Sequence, residues 1–265
     1  MKKKYAILKK SISAILAALM LAACLMFASC SSGTDLDSVK KKGKLVVGIT
    51  DFAPLDYEEN GKWIGFDAEM AEAFAASLGV KAEFVVIDWD SKVTELNNKT
   101  IDCIWNGMTL TDGVKAAMDT SNPYMNNSQV VVVKSAVAEQ YKTVDSIKSL
   151  RFAVEKGSAG EEVLTELGIT PVQLETQSAA LLEVESGTSD ACVIDLLMAG
   201  AMIGEGTSYP DLAWTLKLND EQYGVGFRKG SDLVSALNDF FKSANATGKT
   251  AQIAAKYKVT DALAG

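Results

Sequence analysis

From residue 44 onwards, short apolar runs of strand length alternate with segments in which apolar residues recur at helical spacing. Residues 45–49 form one such run. Apolar side chains then recur at four-residue spacing from Phe66 to Leu78, which places them on one face of a helix. Residues 82–86 return to a strand pattern. Because strands and helices follow each other in turn, the sequence predicts an α/β fold.

The second half of the chain repeats this alternation. Its predicted strands are residues 129–133, 152–154, 172–174 and 191–194, and its predicted helices are residues 144–150, 161–167 and 178–185. The repetition indicates two similar lobes. After residue 223 the pattern gives one more strand and two amphipathic helices, residues 233–246 and 250–257, whose apolar stripes must pack on one of the lobes.

Residues 101–111 join a predicted strand to a predicted helix through a turn that contains Gly107, Thr109 and Thr111. Glycine lets the backbone approach another group closely, and Thr111 is suited to cap the helix that follows. Such a turn points free N–H groups and hydroxyls out of the carboxyl end of a sheet, where small ligands bind in open α/β folds. An ordinary capped connection explains the same residues, so this stretch alone leaves both interpretations open.

Residues 1–29 have the pattern of a secretory signal peptide. Five lysines within residues 2–10 are followed by an uncharged apolar stretch. Small residues then lead directly to Cys30, as in bacterial lipoproteins, whose cysteine becomes the lipidated N-terminus. Cys24 is the alternative lipidation site, since Leu-Ala-Ala-Cys fits the usual pattern, and an uncleaved membrane anchor is a further alternative. We expect an exported protein, lipid-anchored to the outer face of the cell membrane.

Composition narrows the possible partners. The chain has 26 basic and 34 acidic residues, and five of the basic ones lie in the signal peptide, so 21 remain and the mature net charge is about −13. This balance argues against nucleic acid or an anionic surface. The absence of histidine from the sequence excludes histidine-based triads and leaves no metal cluster to propose. Cys103 and Cys192 lie in apolar runs and are expected to be buried thiols, although exported proteins can form disulfides.

Seven short segments carry a resemblance to a known family. They are residues 52–57, 61–70, 107–111, 121–124 and 155–158, the pair Asp190 and Ala191 with Asp195, and residues 223–225. With these segments in order at ordinary spacing, the chain resembles the family 3 extracellular solute-binding proteins, the amino-acid receptors of ABC importers. The resemblance covers residues 44 to about 259.

The resemblance implies a two-lobe, type II periplasmic-binding-protein-like α/β fold with two crossover strands as the hinge. Lobe 1 is expected over residues 44–124 and 224–265 and lobe 2 over residues 128–221, after a tether at residues 30–43. A small-molecule ligand is expected between the lobes, whose closure buries it and presents the closed form to a permease. We expect a monomer without a cofactor, whose protein partners are the permease and its ATPase subunits.

The resemblance also implies ligand-binding residues, which are Asp51, Phe52, Trp89, Gly107, Thr109, Glu155, Ala159 and Asp195. Phe52 and Trp89 match the aromatic or apolar walls around the ligand, although Trp89 is also explained by core packing. Asp51 is included although its loop is shorter than usual in the family.

The remaining matches concern the charged ends of an amino acid. Gly107 and Thr109 match a backbone carbonyl and a hydroxyl–amide pair that hold the α-amino group and the α-carboxylate. Ala159 matches a backbone amide at a helix N-terminus that holds the carboxylate from lobe 2. Asp195 matches the acid that pairs with the α-ammonium group, because a buried ammonium needs a countercharge.

One departure from the family pattern bears on the ligand. The family normally has an arginine three residues after Thr111 that binds the carboxylate with two hydrogen bonds, whereas this chain has Val114. Lys115 is adjacent, but one helical step rotates a side chain by about 100°, so we expect it to be a solvated surface residue. Glu155 stands where many relatives have a neutral or basic residue. Both changes shift the site towards negative charge.

Two ligand classes follow from this departure. The first is a polar amino acid whose carboxylate is held by helix N-terminal amides and hydroxyls, or by another cation in place of the arginine. The second is a cationic amine without a carboxylate, held by the acidic residues and by aromatic faces that include Trp105. Family frequency favours the first class.

Two other functional classes are less favoured. Some relatives of these receptors are dehydratases, and here only carboxylates such as Glu155 could act as a general acid. With no histidine and no activated nucleophile evident, we do not expect an enzyme. A sensor domain is disfavoured because no transmembrane or kinase segment follows before Gly265.

Overall fold

The computed structural model describes residues 33–264, which form two five-stranded sheets with helices packed on them. The predicted signal peptide and both candidate lipidation cysteines, Cys24 and Cys30, lie outside the described residues. Among the helices that are described, none is both long and apolar enough to cross a membrane.

The helices and strands follow one another along the whole described chain. The helices are α1 Asp35–Lys42, α2 Phe66–Ser77, α3 Lys92–Asn97, α4 Asp112–Ala117, α5 Val144–Ile147, α6 Ala159–Glu166, α7 Gln177–Ser186, α8 Leu196–Met202, α9 Leu233–Ala246 and α10 Lys249–Lys256. The strands are β1 Lys44–Ile49, β2 Tyr57–Glu59, β3 Lys62–Ile64, β4 Lys81–Val86, β5 Cys103–Ile104, β6 Asp119–Thr120, β7 Met125–Asn127, β8 Gln129–Lys134, β9 Phe152–Glu155, β10 Val172–Leu174, β11 Ala191–Asp195, β12 Leu212–Lys217, β13 Glu221–Tyr223 and β14 Gly226–Phe227.

The first sheet has the strand order β4-β1-β5-β14-β6. β1 is parallel to β4 and β5, whereas β14 is antiparallel to β5 and β6. Parallel strands end at the same edge of a sheet, so the residues after β1 and β5 meet there. The Thr50 N–H donates to Asn106 Oδ1 at 2.8 Å, and Asn106 Nδ2 donates to Thr50 Oγ1 at 2.8 Å. These bonds fix the start of the loop that carries Gly107.

The second sheet has the strand order β10-β9-β11-β8-β12. β9 is parallel to β10 and β11, and β8 is antiparallel to β11 and β12. The parallel pair β9 and β11 therefore ends at one edge, where Glu155 and Asp195 are the last strand residues. Two acidic side chains are thus brought to the same side of the sheet by strands that are far apart in sequence.

Two short strands connect the sheets. β7 leads from the first sheet to the second and β13 leads back, and they pair antiparallel, with Met125 opposite Tyr223 and Asn127 opposite Glu221. We call the part that carries the first sheet the first lobe and the part that carries the second sheet the second lobe. This arrangement confirms the predicted two-lobe α/β fold with two crossover strands.

The C-terminal helices pack on the first lobe, as their apolar stripes require. The ring centroid of Phe240 on α9 lies 5.5 Å from that of Phe74 on α2, and that of Phe241 lies 5.6 Å from that of Trp105. Trp105 is fully buried in this aromatic cluster. Its predicted use as an aromatic face for a cationic ligand is therefore wrong, because its ring is committed to the core.

Helix α1, Asp35–Lys42, lies within the stretch that was predicted as a tether, residues 30–43. The helix packs through Val39, which is fully buried, and its first turn is fixed by the C-terminal part of the chain. Arg228 pairs with Asp35 at 3.1 Å, and the Leu36 N–H donates to Asp232 at 3.0 Å. Arg228 and Asp232 lie 193 and 196 residues further along the chain than their partners. The polar composition of the helix therefore gives no sign that it packs on the rest of the protein.

Candidate ligand site

A cavity of ≈ 50 Å³ lies between the two lobes, at the edges where the parallel strands of each sheet end. Most of the predicted ligand-binding residues line it, namely Phe52, Trp89, Gly107, Thr109, Glu155, Ala159 and Asp195. Asp51 does not, and its side chain is exposed. Successive residues of an extended chain point to opposite sides, so the turn that buries Phe52 directs Asp51 to solvent. Its assignment to the site stays a prediction.

The loop after β5 brings its backbone close to the aromatic wall. Gly107 has φ +58°, and a Cβ atom there would lie 2.2 Å from Phe52 Cε1, so both the conformation and the space require glycine. The Gly107 N–H donates to Asp67 Oδ2 at 2.8 Å. Further along, the Val114 N–H donates to Thr111 Oγ1 at 3.2 Å, which confirms the predicted cap of α4. The close approach predicted for this glycine is also confirmed.

Thr109 contacts the crossover strands. Its hydroxyl donates to Glu221 Oε1 at 2.9 Å, and Gln129 Nε2 donates to the same oxygen at 2.9 Å. Glu221 belongs to β13, so this carboxylate links the first-lobe loop to the second sheet at the point where the chain crosses. The Thr109 side chain is therefore held in place by a hydrogen bond within the protein itself.

Asp195 ends β11 and is the most heavily hydrogen-bonded acid of the site. Its Oδ1 accepts from Asn127 Nδ2 at 2.5 Å, from Gln129 Nε2 at 3.0 Å and from the Tyr223 hydroxyl, and its Oδ2 accepts from Gln177 Nε2. Burial nevertheless raises the pKa of Asp195 to about 8, with a further contribution from the charge of Glu221. The donors orient the carboxylate but do not supply the positive charge that would compensate its burial.

Glu155 lies beside Asp195 on the second-lobe wall. It is 3% exposed, and burial followed by the negative charge of Asp195 raises its pKa to about 8. Two adjacent buried carboxyls that face a cavity disfavour each other's ionisation. A cation that enters the cavity would relieve this repulsion.

The N-terminus of α6 completes the second-lobe wall. Ser158 is its N-cap, with the Glu161 N–H donating to Ser158 Oγ at 3.2 Å, and Ala159 is the first helical residue. The first N–H groups of a helix have no partner within the helix and favour an anion. Ala159 lines the cavity, and its position at the start of the helix makes its amide suited to an anion.

The first-lobe wall contains a cation that the sequence analysis did not identify. Lys92, in the first turn of α3, lines the cavity and is only 8% exposed. Its Nζ donates to Trp89 O at 3.0 Å and to Gly157 O at 2.9 Å, and it lies 4.7 Å from the centroid of the Trp89 ring. Residues three apart on a helical turn share a face, so its spacing from Trp89 was a usable signal.

Direct contacts between the lobes close the cavity on the side of Lys92. Lys92 reaches Gly157 O from the first lobe, and Lys156 of the second lobe pairs with Asp90 of the first at 2.6 Å. Gly157 has φ +72°, and a Cβ atom there would lie 2.7 Å from the Asp90 Cα atom. The lobes therefore stand in a closed arrangement in which the backbones meet at a glycine.

Val114 occupies the cavity wall where the family pattern has arginine. Lys115 is exposed and lies outside the wall, in agreement with the rotation expected for one helical step. The cation nearest to the ligand space on this wall is therefore Lys92, which approaches from a different helix.

Comparisons with known proteins agree with this architecture. Residues 45–260 match the family described as bacterial extracellular solute-binding proteins, family 3. The chain is 28% identical over 250 residues to the arginine-binding extracellular protein ArtP of Bacillus subtilis, covering 90% of this chain and 96% of that protein. It is 30% identical over 210 residues to the L-cystine-binding protein TcyJ of Escherichia coli, covering 77% and 78% of the two chains.

A solved structure gives the same result for the fold. An ABC uptake transporter substrate-binding protein from Streptococcus pneumoniae with bound histidine superposes with a TM-score of 0.81 at 27% identity, covering 89% of this chain and 100% of that chain. These relatives are binding proteins rather than enzymes, as the sequence analysis expected.

Proposed function

The chain belongs to the family 3 bacterial extracellular solute-binding proteins, and from that premise we propose that it binds a polar amino acid between its two lobes for delivery to an ABC permease. The observation that carries this proposal is the composition of the cavity. Amide and hydroxyl groups suited to a carboxylate line the same small space as two buried acids suited to an ammonium group.

Each wall residue has a proposed role. Asp195, with Glu155 beside it, pairs with the α-ammonium group, which supplies the countercharge that both buried acids lack. The Gly107 carbonyl also accepts from the ammonium group. The backbone amides of Thr109 and Ala159 donate to the α-carboxylate, since the Thr109 hydroxyl already donates to Glu221. Phe52 and Trp89 enclose the ligand.

We further propose that the mature protein is an exported lipoprotein. The pattern of residues 1–29 supports a signal peptide, and Cys30, or alternatively Cys24, is the proposed lipidated residue. The lipid would hold a monomeric receptor at the outer face of the cell membrane, within reach of the permease and its ATPase subunits.

The experiment that tests the ligand class is a thermal-shift screen of the mature protein, starting near Ser31. The panel is the twenty standard L-amino acids and L-cystine, together with carboxylate-free amines and quaternary ammonium compounds. Binding to the folded state alone raises the melting temperature, and a ligand at 100 times its Kd contributes about 2.7 kcal/mol. We expect stabilisation by one or a few polar amino acids.

A cationic amine without a carboxylate is the second candidate, favoured by Val114 and by the two acids of the second-lobe wall. Stabilisation by amines alone would establish it in place of the amino acid. If no compound of the panel stabilises the protein, the proposed roles of the cavity residues are contradicted.

A further inference from the structure

We propose that Lys92 is the cation that binds the α-carboxylate of the ligand. It would replace the arginine that the family pattern has at position 114, where this chain has Val114. This inference rests on the proposed function, because it assigns one end of an amino-acid ligand. It also fixes the ligand's orientation, with the carboxylate towards the first-lobe helix α3 and the ammonium group towards the second-lobe acids.

The placement of Lys92 is the first argument. Among the described residues that line the cavity, it is the one basic side chain. Its ammonium group reaches Gly157 O at 2.9 Å, two residues before the amide of Ala159 at the start of α6. A carboxylate bound to the N-terminal amide of α6 would therefore lie next to the Lys92 ammonium group in a cavity of only ≈ 50 Å³.

The hydrogen bonds of Lys92 leave it one donor. An ammonium group has three N–H bonds, and in the described structure two of them are used, by Trp89 O at 3.0 Å and Gly157 O at 2.9 Å. The Trp89 ring, 4.7 Å from Nζ, supports the charge from one face. The bound carbonyls fix the position of the nitrogen, and the third N–H is available to a ligand.

The charge balance around Lys92 is the third argument. Burial lowers the pKa of Lys92 to about 8. The negative charges around it act in the opposite direction and raise the pKa; they belong to Glu155, Asp90, Glu162 and Glu161. Asp90 is already paired with Lys156 at 2.6 Å. Burial raises the pKa of Glu155 to about 8, so at pH 7 it keeps much of its proton. A ligand carboxylate would supply the countercharge that these groups provide only in part.

The charged side chains of the two walls give the orientation. The first lobe contributes the cation Lys92, and the second contributes the buried acids Glu155 and Asp195 and the exposed Glu162. A zwitterion that bridges the lobes satisfies both walls at once. A carboxylate-free amine would satisfy only the second wall and would bring its charge close to Lys92.

A purely structural role for Lys92 makes a different prediction. If Lys92 only joins the lobes through Gly157 O, its loss would weaken every ligand that needs the closed form by the same factor. If it also binds the carboxylate, its loss would weaken ligands that carry a carboxylate more than those that do not. The two roles are therefore separated by changing the ligand as well as the protein.

The probes are the L-amino acids that stabilise the wild-type protein, each compared with its α-carboxamide, in which the carboxylate is neutral. The variants are K92M, which keeps the length of the side chain without its charge, K92R, which keeps a charge, and the double variant K92M/V114R. K156M is the matched control, because Lys156 also joins the lobes but pairs with Asp90 outside the cavity wall. Dissociation constants are measured by titration calorimetry at pH 7.

We expect the wild type to bind the acid at least about tenfold more tightly than the carboxamide, since a hydrogen bond to a charged group contributes about that much. K92M should weaken the acid about ten- to a hundredfold more than it weakens the carboxamide, which loses only the contact between Lys92 and Gly157 O. K156M should change the dissociation constants of the acid and the carboxamide by the same small factor. K92R should keep the preference for the acid. K92M/V114R should restore the preference that K92M loses.

Equal weakening of acid and carboxamide by K92M would overturn the inference and leave Lys92 as a contact between the lobes. A wild type that binds both probes equally would also overturn it, while leaving the proposed amino-acid function intact. A wild type that binds no amino acid would instead contradict the proposed function itself, so the two failures are distinguishable. The carboxamide measurement also shows whether K92M is folded.

Discussion

Each lobe contains a pair of buried acids. Asp56 and Asp67 lie in the first lobe, and Glu155 and Asp195 lie in the second. Each of the four residues is at most 4% exposed. Burial raises the pKa of all four carboxyls above the usual range. By burial and pKa alone, the two pairs would be equally good candidates for a functional site.

Their surroundings differ. Neither Asp56 nor Asp67 lines the cavity between the lobes. Asp67 Oδ2 accepts from the Gly107 N–H at 2.8 Å and from the Tyr124 hydroxyl at 2.6 Å, whereas neither carboxylate oxygen of Asp56 has a hydrogen-bond partner in the described part of the chain. The second-lobe pair faces the cavity, and Asp195 accepts hydrogen bonds from four side chains.

The comparison teaches that burial of an acid does not by itself mark a binding residue. The first-lobe pair is enclosed by the core, and Asp67 accepts a hydrogen bond from the loop of Gly107. The repulsion between its two carboxyls is relieved only when a proton is kept. The second-lobe pair can be relieved by a cation that enters the cavity. The first pair should therefore control stability and the second should control binding.

The largest effect that would test this comparison is on affinity, in the variant Asp195→Asn. The amide keeps the size of the side chain but removes the countercharge of the ligand's ammonium group. We expect a loss of affinity of about a hundredfold or more, because a buried charge is left without its partner. Titration calorimetry with the best-stabilising amino acid measures it.

Asp56→Asn is the matched control for this prediction. It makes the same chemical change at an equally buried acid outside the cavity, and we expect less than a twofold change in Kd. Similar losses in both variants would contradict the distinction between the pairs and would indicate a general effect of buried charge on the fold.

The second effect is on stability, in the variant Asp67→Ala. It leaves the Gly107 N–H and the Tyr124 hydroxyl without their acceptor, and a buried donor without a partner costs about 1–3 kcal/mol. We expect the free energy of unfolding to fall by that amount in urea titrations. Asp67→Asn retains an acceptor oxygen and should lose less. Equal stability of the alanine variant and the wild type would show that Asp67 does not support this loop.

The fold could be read from the sequence where local pattern determines local structure. Helix α9 was predicted at the residues where it occurs, and strand β10 likewise, because their apolar spacing and flanking turns agree with their tertiary partners. Helix α1 could not be predicted, because its stability comes from Arg228 and Asp232 near the other end of the chain. Local composition there resembles that of a flexible segment.

The candidate site divides in the same way. Gly107 and Asp195 stand in short motifs whose chemistry is local, and both line the cavity. Lys92 was missed because a lysine in the first turn of a helix is normally solvated, and only the second lobe, which meets it at Gly157, makes it a buried residue. Asp51 was expected at the site but does not line the cavity, because the direction of one residue in a turn depends on how its neighbour Phe52 packs.

The last effect is a pH dependence, which sharpens the comparison within the second-lobe pair. The pKa of Glu155 is raised to about 8 in the folded protein from an ordinary value near 4.5. Its protonated form is therefore stabilising at low pH, and that stability is lost as the pH rises through 8. We expect the melting temperature of the unliganded protein to fall between pH 5 and pH 8.

The variant Glu155→Gln should flatten this dependence, because the amide cannot ionise. Part of the pH dependence should remain in this variant, because two other buried acids titrate in the same direction in both proteins. The pKa of Asp195 is raised to about 8 and that of Asp67 to about 7. Glu162→Gln is the matched control, because Glu162 lines the cavity but is exposed, so the same formal charge is removed without removing a buried acid. Thermal unfolding of all three proteins across this range measures the slopes. A Glu155→Gln slope equal to that of the wild type, or a Glu162→Gln slope as flat as that of Glu155→Gln, would contradict the assignment of this pH dependence to the buried acid that faces the ligand.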